Sequence, residues 1–410
     1  MTRTVGAVCL GLAFALSSCG GAEVEPTPTP PATPTLVATP AAATTPTPAA
    51  TPAPAATQSP TPTATPADTP VPAPTPEREL AGLSNWLNSE PLTIADLVAR
   101  NRVVLVDFWT YTCVNCIRTL PRLRQWHERY AAHGLTIVGV HTPEFDFEHD
   151  PDNVAEAVER LGIAYPVAQD NDYLTWQAFY NCCWPGKYLI GVDGTLVYRH
   201  VGEGAYQSTE SAIREALEAA GYDLSGVPPG ADADPHFDPV ATAQTRELYG
   251  GYARNYAPFG VYAGQEAYYG PPDEVRDYVD TGERLDGMWY LQGLWRNERE
   301  AIVHARTTED LSDYFAFTFL ARTVHIVLRP RQGEPFDMVV ELDGQPLRPD
   351  EAGPDVTFDE DGRSVVRVEE PRMYRVVDLP QWGEHELRVR SDSDDLAIFA
   401  VTFGSYAEEP

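Results

Sequence analysis

Two cysteines in the first half of the chain have the spacing of a reactive dithiol. Cys113 and Cys116 follow an apolar run at 103–108 and open a helical pattern. Two residues spaced i and i+3 at a helix start lie on one face, so their sulfurs come within reach of a disulfide. The free N–H groups and the dipole of a helix N-terminus favour a thiolate at the first position. The pattern predicts that Cys113 attacks a disulfide and that Cys116 resolves the mixed disulfide.

A zinc site and a purely structural disulfide are the alternatives for this cysteine pair. Zinc needs two further ligands, and the sequence shows no second CxxC and no paired histidines at ligand spacing. Placement directly after a buried strand argues against a structural disulfide. We therefore expect redox chemistry at the pair, with no metal and no cofactor.

Strand and helix patterns alternate around the pair. Apolar runs at 103–108 and 135–140 predict buried parallel strands, and helical periodicity covers 113–132. An Asp-Gly pair at Asp193 predicts a hairpin further on. This alternation predicts a central sheet with helices on its faces, an α/β domain over residues 80–225.

Several motifs within residues 80–225 together carry a family resemblance. They are Trp109-Thr-Tyr-Thr-Cys-Val-Asn-Cys, Gly139-Val-His-Thr-Pro-Glu-Phe, Asp170-Asn-Asp-Tyr, Trp184-Pro185 and Gly202-Glu-Gly-Ala-Tyr206. The first resembles the thioredoxin active-site segment, and the whole set resembles the thioredoxin-like domain of the TlpA and DipZ group within the redoxin family. The resemblance implies a thioredoxin fold and dithiol-disulfide exchange with protein substrates.

The same resemblance implies roles for residues around the pair. Asp107 stands where the family has an acid that accepts, through water, the proton of the resolving cysteine, and burial raises the pKa of such a carboxyl. A structural Asp107 is the alternative. Pro185 corresponds to the cis-proline of the family, whose loop binds the substrate peptide. Trp184, Trp109 and Tyr111 are the further residues expected to contact substrate.

Two further cysteines depart from the family pattern. Cys182 and Cys183 directly precede the Trp184-Pro185 pair. A vicinal disulfide, an electron relay from Cys116 and a soft-metal site are the functional interpretations, and two idle thiols are the alternative. Glu144, at the end of the second long strand, is either a residue that tunes thiol pKa values or a solvated loop acid.

The N-terminal segment predicts export across the membrane and attachment to it through a lipid. Leu16-Ser-Ser-Cys19 follows a short apolar run and resembles a bacterial lipobox. The resemblance implies a lipoprotein signal peptide at 1–18 and a lipidated Cys19 on the extracytoplasmic side of the bacterial cell membrane; a plain secretory signal is the alternative. Residues 19–79 then read as the lipidated cysteine and a Pro/Thr/Ala-rich linker that cannot bury a core.

Beyond a polar boundary at 226–237, residues 238–410 have the composition of many short strands. Separate strands are expected at 314–320 and 324–328, and again at 374–379 and 386–389, with hairpin turns at Asp343-Gly344 and Asp361-Gly362. The pattern predicts an all-β sandwich, a jelly roll.

This second region also resembles the C-terminal domain of the DipZ group, which looks like a carbohydrate-binding module. The resemblance implies a glycan ligand, with tyrosines as stacking faces; core or edge packing and a docking surface for proteins are the alternatives. The tyrosines concerned are Tyr249, Tyr252, Tyr256, Tyr262, Tyr268 and Tyr269.

The formal net charge of −31 argues against nucleic acid and anionic lipid as partners. The predicted function is a membrane-anchored thiol-disulfide oxidoreductase that reduces exported proteins, as in cytochrome c maturation. A CcdA-like membrane partner is the expected electron donor, because the sequence shows no electron-transporting membrane domain of the kind found in full DipZ proteins.

Three other function classes remain open on the sequence. A thiol peroxidase fits Thr110 of a T-x-x-C pattern, although Val106 stands where the proline should be. A copper-handling protein of this fold typically uses CxxxC, whereas the spacing here is CxxC. A glycan- or protein-binding surface lipoprotein with a degenerate thioredoxin domain is the third.

Overall fold

The computed structural model describes residues 78–230, 240–257 and 260–406, all within one compact unit. The predicted signal peptide, the predicted lipidation site Cys19 and most of the Pro-rich linker lie outside the described residues. We call residues 78–230 the N-terminal lobe and residues 240–406 the C-terminal lobe, each built on its own sheet. In the described part of the chain, no helix has the length and apolarity that a membrane crossing requires.

The N-terminal lobe contains a six-stranded mixed sheet of strand order β1-β4-β3-β2-β5-β6. Its strands are β1 (Ser84–Leu87), β2 (Val103–Trp109), β3 (Leu135–His141), β4 (Val167–Gln169), β5 (Gly186–Ile190) and β6 (Leu196–Val201). Strands β2, β3 and β4 run parallel, whereas β5 is antiparallel to β2 and forms the predicted hairpin with β6. The predicted α/β architecture is confirmed.

The helices of this lobe connect the strands. They are α1 (Ile94–Ala99), α2 (Val114–Tyr130), α3 (Pro151–Arg160), α4 (Leu174–Ala178) and α5 (Tyr206–Ala219). Helix α2 buries one face, including Leu120, Leu123 and Trp126, which is the periodicity that predicted it. A left-handed Gly134, with φ of 96°, ends the 3-10 turn after α2 and turns the chain into β3.

Strand β2 is the centre of the sheet, and all seven of its residues are buried. A continuous apolar strand flanked on both sides by other strands can hold one charged residue only where the surroundings fix it. That residue is Asp107, which pairs in register with Gly139 of β3 and with Lys187 of β5. A short connection after Trp109 then leads from β2 to the start of α2 at Val114.

The C-terminal lobe is a single eleven-stranded sheet in which every ladder is antiparallel. Its strands are β7 (Leu248–Tyr249), β8 (Val275–Tyr278), β9 (Trp289–Asn297), β10 (Ile302–His304), β11 (Tyr314–Pro330), β12 (Phe336–Leu342), β13 (Gln345–Pro346), β14 (Val356–Phe358), β15 (Ser364–Val368), β16 (Arg372–Arg390) and β17 (Leu396–Gly404). Both predicted Asp-Gly turns join strands here, between β12 and β13 and between β14 and β15. The all-β class is confirmed.

The long strands β11 and β16 correct one expectation about this lobe. Each replaces two predicted strands, because their mutual ladder is interrupted only by shifts of register and not by a turn. Strand β9 pairs with β11 and β10, β10 pairs with β17, and β17 pairs with β11 again. The sheet therefore folds back on itself over a core that includes Trp289 and Phe317.

The two lobes share a hydrophobic core. Phe399 of β17 is 2% exposed, and its ring lies 5.3 Å from that of Phe145 and 4.9 Å from that of Phe147 (centroid to centroid). Ala301, Val303, Met373 and Ala400 belong to the same cluster as the core under α2 and β3. The C-terminal lobe therefore contributes to the packing of the N-terminal lobe.

Candidate functional site

Cys113 is the N-cap of α2, at the end of the chain segment that leaves β2. Its backbone is extended, with φ of −79° and ψ of 112°, and its Sγ accepts a hydrogen bond from the Cys116 N–H at 3.2 Å. The side chain is half-buried. An N–H donor and the positive end of a helix dipole both stabilise a thiolate, so the structure places the Cys113 sulfur as predicted for a nucleophile.

Cys116 lies one turn into α2 and is 1% exposed. Burial, followed by its interaction with Cys113, raises the pKa of the Cys116 thiol well above its ordinary value. Cys116 is therefore protonated near neutral pH while Cys113 meets solvent. This difference in exposure is the one expected of an attacking Cys113 and a resolving Cys116.

A buried carboxyl and a buried amine face each other beneath the pair. Asp107 is 1% exposed and Lys187 is 0% exposed, and the two are register partners on β2 and β5. Among the described residues, neither Asp107 Oδ1 nor Lys187 Nζ has a hydrogen-bond partner. Burial raises the pKa of Asp107 to about 7, against the opposing charge of Lys187, and burial lowers the pKa of Lys187. A carboxyl with this pKa can take up and release a proton near neutrality.

The peptide bond between Trp184 and Pro185 is cis, as the resemblance implied. Gly186, the next residue, pairs with Phe108 near the end of β2, so the cis-proline loop lies at the same edge of the sheet as Cys113. The Trp184 indole is half-buried and donates its Nε1–H to the Thr142 carbonyl at 3.1 Å. A ring held in this way can form one wall of a site for an extended peptide.

Trp109 and Tyr111, expected to contact substrate, are 0% and 1% exposed. The Trp109 ring meets His141 edge to face, and the Tyr111 ring stacks on His141 at 5.5 Å between centroids. Burial of His141 lowers its pKa to about 3, so it packs as a neutral ring. Trp109 and Tyr111 therefore pack in the core beneath the segment that carries Cys113, and the expectation that they contact substrate directly is wrong.

Glu148 is a site residue that the sequence analysis missed. It is 0% exposed and accepts hydrogen bonds from Thr112 Oγ1 at 2.5 Å and from the Phe145 N–H at 3.0 Å. Burial, and then the charge of Glu144, raises the pKa of Glu148 to about 7. Because Thr112 directly precedes Cys113, this carboxyl anchors the loop that carries the nucleophile.

Glu144 lies away from solvent, and its side-chain partners are residues of the C-terminal lobe rather than the thiols. Its side chain, 9% exposed, forms an ion pair with Arg254 and accepts a hydrogen bond from Tyr249 Oη at 3.0 Å. Both partners belong to the C-terminal lobe. The expectation of a solvated loop acid is therefore wrong, and Glu144 joins the two lobes.

The C-terminal lobe also reaches the helix that carries the cysteines. Arg118, two residues after Cys116, has a side chain only 4% exposed, and its guanidinium lies 5.2 Å from the ring centroid of Tyr406. It also donates to Thr323 Oγ1 at 3.5 Å and lies 3.9 Å from a carboxylate oxygen of Glu203. The first turn of α2 is thus fixed by contacts from both lobes.

Cys182 and Cys183, the remaining candidate residues, are exposed in the loop between α4 and β5. Of the six tyrosines considered as glycan-stacking faces, Tyr262 and Tyr268 are buried, and Tyr256 and Tyr269 are the exposed ones, at 45% and 44%. Within the described residues, no group of three or more His, Cys, Asp or Glu side chains converges as a metal site.

Comparison with known proteins finds two family models on this chain. The model of the AhpC/TSA family matches residues 73–199, and the model described as the thioredoxin like C-terminal domain matches residues 245–404. The two matches fall on the N-terminal and the C-terminal lobe, respectively.

Individual relatives match one lobe or both. Protein DipZ of Mycobacterium tuberculosis is 32% identical over 332 residues, which cover 80% of this chain and 42% of DipZ. The thiol-disulfide oxidoreductase YkuV of Bacillus subtilis is 28% identical over 139 residues, which cover 34% of this chain and 92% of YkuV. NHL repeat-containing protein 2 of Bos taurus is 41% identical over 122 residues, which cover 29% of this chain and 16% of that protein. The chain thus spans less than half the length of DipZ.

Proposed function

We propose that this chain, a homologue of DipZ in which a thioredoxin-like lobe precedes a thioredoxin-like C-terminal domain, is a thiol-disulfide oxidoreductase. Its reactive pair is Cys113 and Cys116. The observation that carries the proposal is the cap geometry of α2, where a half-buried Cys113 sulfur accepts the N–H of a fully buried Cys116. The match of YkuV along nearly its whole length supports the same activity.

The proposed reaction has two exchange steps. The Cys113 thiolate attacks one sulfur of a substrate disulfide, which forms a mixed disulfide and releases the other sulfur as a thiolate. The Asp107 carboxylate, acting through water, then accepts the proton of Cys116, and the Cys116 thiolate attacks Cys113 Sγ. The substrate leaves with both of its sulfurs reduced, and the enzyme retains the Cys113–Cys116 disulfide. Two electrons have passed from the enzyme to the substrate.

The buried amine of Lys187 has a defined part in this scheme. A negative Asp107 is stabilised by the cation across the β2–β5 pair, and a neutral Asp107 leaves the cation unpaired. Proton transfer from Cys116 to Asp107 replaces the buried carboxylate with a buried thiolate, so the net charge of the site does not change. The transfer therefore avoids the large cost of creating an additional isolated charge in a buried site.

The physiological setting is part of the proposal. We infer that the chain is anchored through a lipidated Cys19 on the extracytoplasmic side of a bacterial cell membrane and reduces disulfides of exported proteins. A CcdA-like membrane protein is the proposed source of the electrons that regenerate Cys113 and Cys116. The lipobox resemblance and the likeness to TlpA-type domains support this setting.

The C-terminal lobe has two proposed roles. The contacts of Arg254 with Glu144 and of Tyr406 with Arg118 favour a supporting role, in which this lobe fixes the loops around the thiols. Glycan binding stays a prediction, with Tyr256 and Tyr269 as its exposed candidates.

A thiol peroxidase is less well supported, although the matching family model is named for AhpC and TSA. In a peroxidase, the threonine hydroxyl of the T-x-x-C pattern is expected to contact the reactive cysteine. Here Thr110 is buried and its hydroxyl lies 3.3 Å from His141 Nε2.

Trapping of the mixed disulfide tests the proposed exchange. In the full chain with Cys9, Cys19, Cys182 and Cys183 replaced by serine, Cys116→Ser should accumulate a covalent complex with reducible insulin, seen on a non-reducing gel. The matched Cys113→Ser variant should form at least tenfold less, because Cys116 is buried. Equal trapping by both variants, or trapping by neither, would overturn the proposal.

A further inference from the structure

A second pair of thiols lies next to the cis-proline loop. Cys182 and Cys183 are both exposed, and their sulfur atoms are 2.8 Å apart. Two sulfurs this close can form a vicinal disulfide when the loop adjusts, because consecutive Cα atoms are about 3.8 Å apart and most disulfides join Cα atoms at about 4.4 Å or more. We propose that Cys182 and Cys183 are a second thiol-disulfide exchange site, which acts on aliphatic disulfides independently of Cys113 and Cys116.

The two sulfurs have different surroundings. The Cys183 thiol donates to Cys182 Sγ, and the guanidinium of Arg199 also donates to Cys182 Sγ, from Nη2 at 3.9 Å. Arg199 is itself held with its guanidinium 5.3 Å from the ring centroid of Tyr188. A cation and a hydrogen-bond donor that both point at one sulfur stabilise negative charge on it. Cys182 is therefore the attacking sulfur of the pair.

Cys183 has the complementary character. Its hydrogen bond with Cys182 is the main cause that raises the pKa of Cys183 to about 11, so it stays protonated at neutral pH. Cys183 thus resolves the mixed disulfide that Cys182 forms. The division of roles parallels that of Cys113 and Cys116, but neither sulfur of the second pair is buried.

The loop that presents these thiols is fixed from one side. The Asn181 side-chain amide donates to the Cys183 carbonyl at 3.1 Å, and its oxygen accepts the Tyr188 hydroxyl at 2.9 Å. Tyr188 is fully buried on β5. A rigid support beneath exposed thiols keeps them at the surface, where both a small disulfide and a protein disulfide have access.

The proposed step balances within the two thiols and the substrate. The Cys182 thiolate attacks a sulfur of the substrate disulfide, breaks the S–S bond and releases one substrate thiolate. Cys183 then loses its proton to solvent and attacks Cys182 Sγ, which releases the second substrate thiolate. A Cys182–Cys183 disulfide forms, and the substrate disulfide is reduced by two electrons.

A variant of the full chain isolates this site. Cys9, Cys19, Cys113 and Cys116 are replaced by serine, so that Cys182 and Cys183 are the remaining cysteines. The reduced protein is mixed with glutathione disulfide in one arm and with insulin in the other, quenched with acid, alkylated and weighed intact. We expect both thiols to disappear together without retained glutathione, and dithiothreitol to restore both. Reaction in the glutathione arm alone identifies small disulfides as substrates, and reaction with insulin identifies protein disulfides.

Two results would overturn the second site. One is persistence of both thiols in both arms; the other is a product that carries glutathione on each cysteine separately. Since this variant contains neither Cys113 nor Cys116, its failure is distinct from a failure of the function proposed for that pair.

The assigned order of attack has its own test in the same background. With Cys183→Ser, the mixed disulfide should be trapped on Cys182, and Arg199→Gln should slow its formation at least threefold. The exposed Arg160→Gln is the matched control and should leave the rate unchanged. Equally fast trapping on Cys183 in a Cys182→Ser variant would contradict the assignment.

Discussion

At the scale of single residues, the site depends on buried ionisable groups that the fold tolerates at a cost. Asp107 and Lys187 are enclosed without a hydrogen-bond partner for Oδ1 or Nζ among the described residues. Burial disfavours the charged form of each group, as the raised pKa of Asp107 and the lowered pKa of Lys187 indicate. Removal of one of the two groups leaves the other without its counter-charge, so a substitution at either position carries an opposing cost.

The effect of Asp107→Asn on the unfolding free energy should be more favourable at high pH than at low pH. The pKa of Asp107 rises from 3.8 to about 7 on folding, so the folded state disfavours its carboxylate. This penalty is absent below the unfolded pKa and grows until the pH passes the folded pKa. The unfolding free energy of Asp107→Asn, relative to that of the unsubstituted chain, should be roughly 2–3 kcal/mol more favourable at pH 8 than at pH 5.

Urea denaturation of the reduced protein at both pH values measures this difference. Asp96→Asn, at an exposed position of α1, is the matched control and should show the same effect at both. A pH-independent effect of Asp107→Asn would mean that the Asp107 carboxyl titrates in its ordinary range.

Residue types close together in sequence were predictable, and residues brought together by register were not. Cys113, Cys116 and Asp107 lie within ten positions; local spacing identified the two cysteines, and the family resemblance identified Asp107. Lys187 and Glu148 gain their meaning only from a strand pairing and a loop contact with distant segments. For Lys187, the signal available in the sequence was a lysine among the apolar residues that follow Pro185.

At the scale of elements, the segment 142–149 after β3 holds the site from two directions. Glu148 points beneath the nucleophile loop, and Glu144 points to Arg254 of the C-terminal lobe. The segment therefore connects the loop that precedes Cys113 to the C-terminal lobe through side-chain contacts. In sequence, Glu144 was compatible with a solvated loop acid because its partners Arg254 and Tyr249 are remote along the chain.

Arg254→Met should destabilise the protein by about 1–3 kcal/mol, because Glu144 would remain buried without its cation. Addition of Glu144→Gln should recover part of this loss. Arg367→Met, which removes exposed ion pairs with Asp337 and Glu369, is the control and should cost less than about 1 kcal/mol. Equal costs for the Arg254 and Arg367 variants in urea denaturation would contradict a structural role for the contact.

Strand continuity in the C-terminal lobe marks the limit of the element predictions. The sequence pattern located both Asp-Gly turns and most residues of β11 and β16, but it divided each of these two strands into two. Local composition around Ala321–Thr323 resembles a strand end, whereas the ladder crosses this point with a shift of register. Cross-strand pairing, which the sequence does not display, decides whether such a strand bends or stops.

At the scale of the whole molecule, the described lobes are predicted to unfold together. Phe399, packed on Phe145 and Phe147, belongs to a core that takes residues from both lobes. Phe399→Ala should lower the unfolding free energy by about 3–5 kcal/mol. It should also shift tryptophan fluorescence and the loss of exchange activity to the same lower urea concentration.

Phe358→Ala is the control for this substitution, because Phe358 is 42% exposed on β14. It should leave both transitions nearly unchanged. Separate transitions for fluorescence and activity in the unsubstituted chain would show that the lobes unfold independently.

The central claim is that Cys113 and Cys116 are a reversible two-electron pair that reduces disulfides. Its most direct test is equilibration of the full chain, with serine at Cys9, Cys19, Cys182 and Cys183, in graded redox buffers. The free thiols are then alkylated and counted by intact mass. We predict that both thiols are lost together, with a midpoint near the thioredoxin value of about −270 mV. A pair that does not titrate reversibly, or one with a midpoint near about −120 mV as in strong oxidants, would contradict the account.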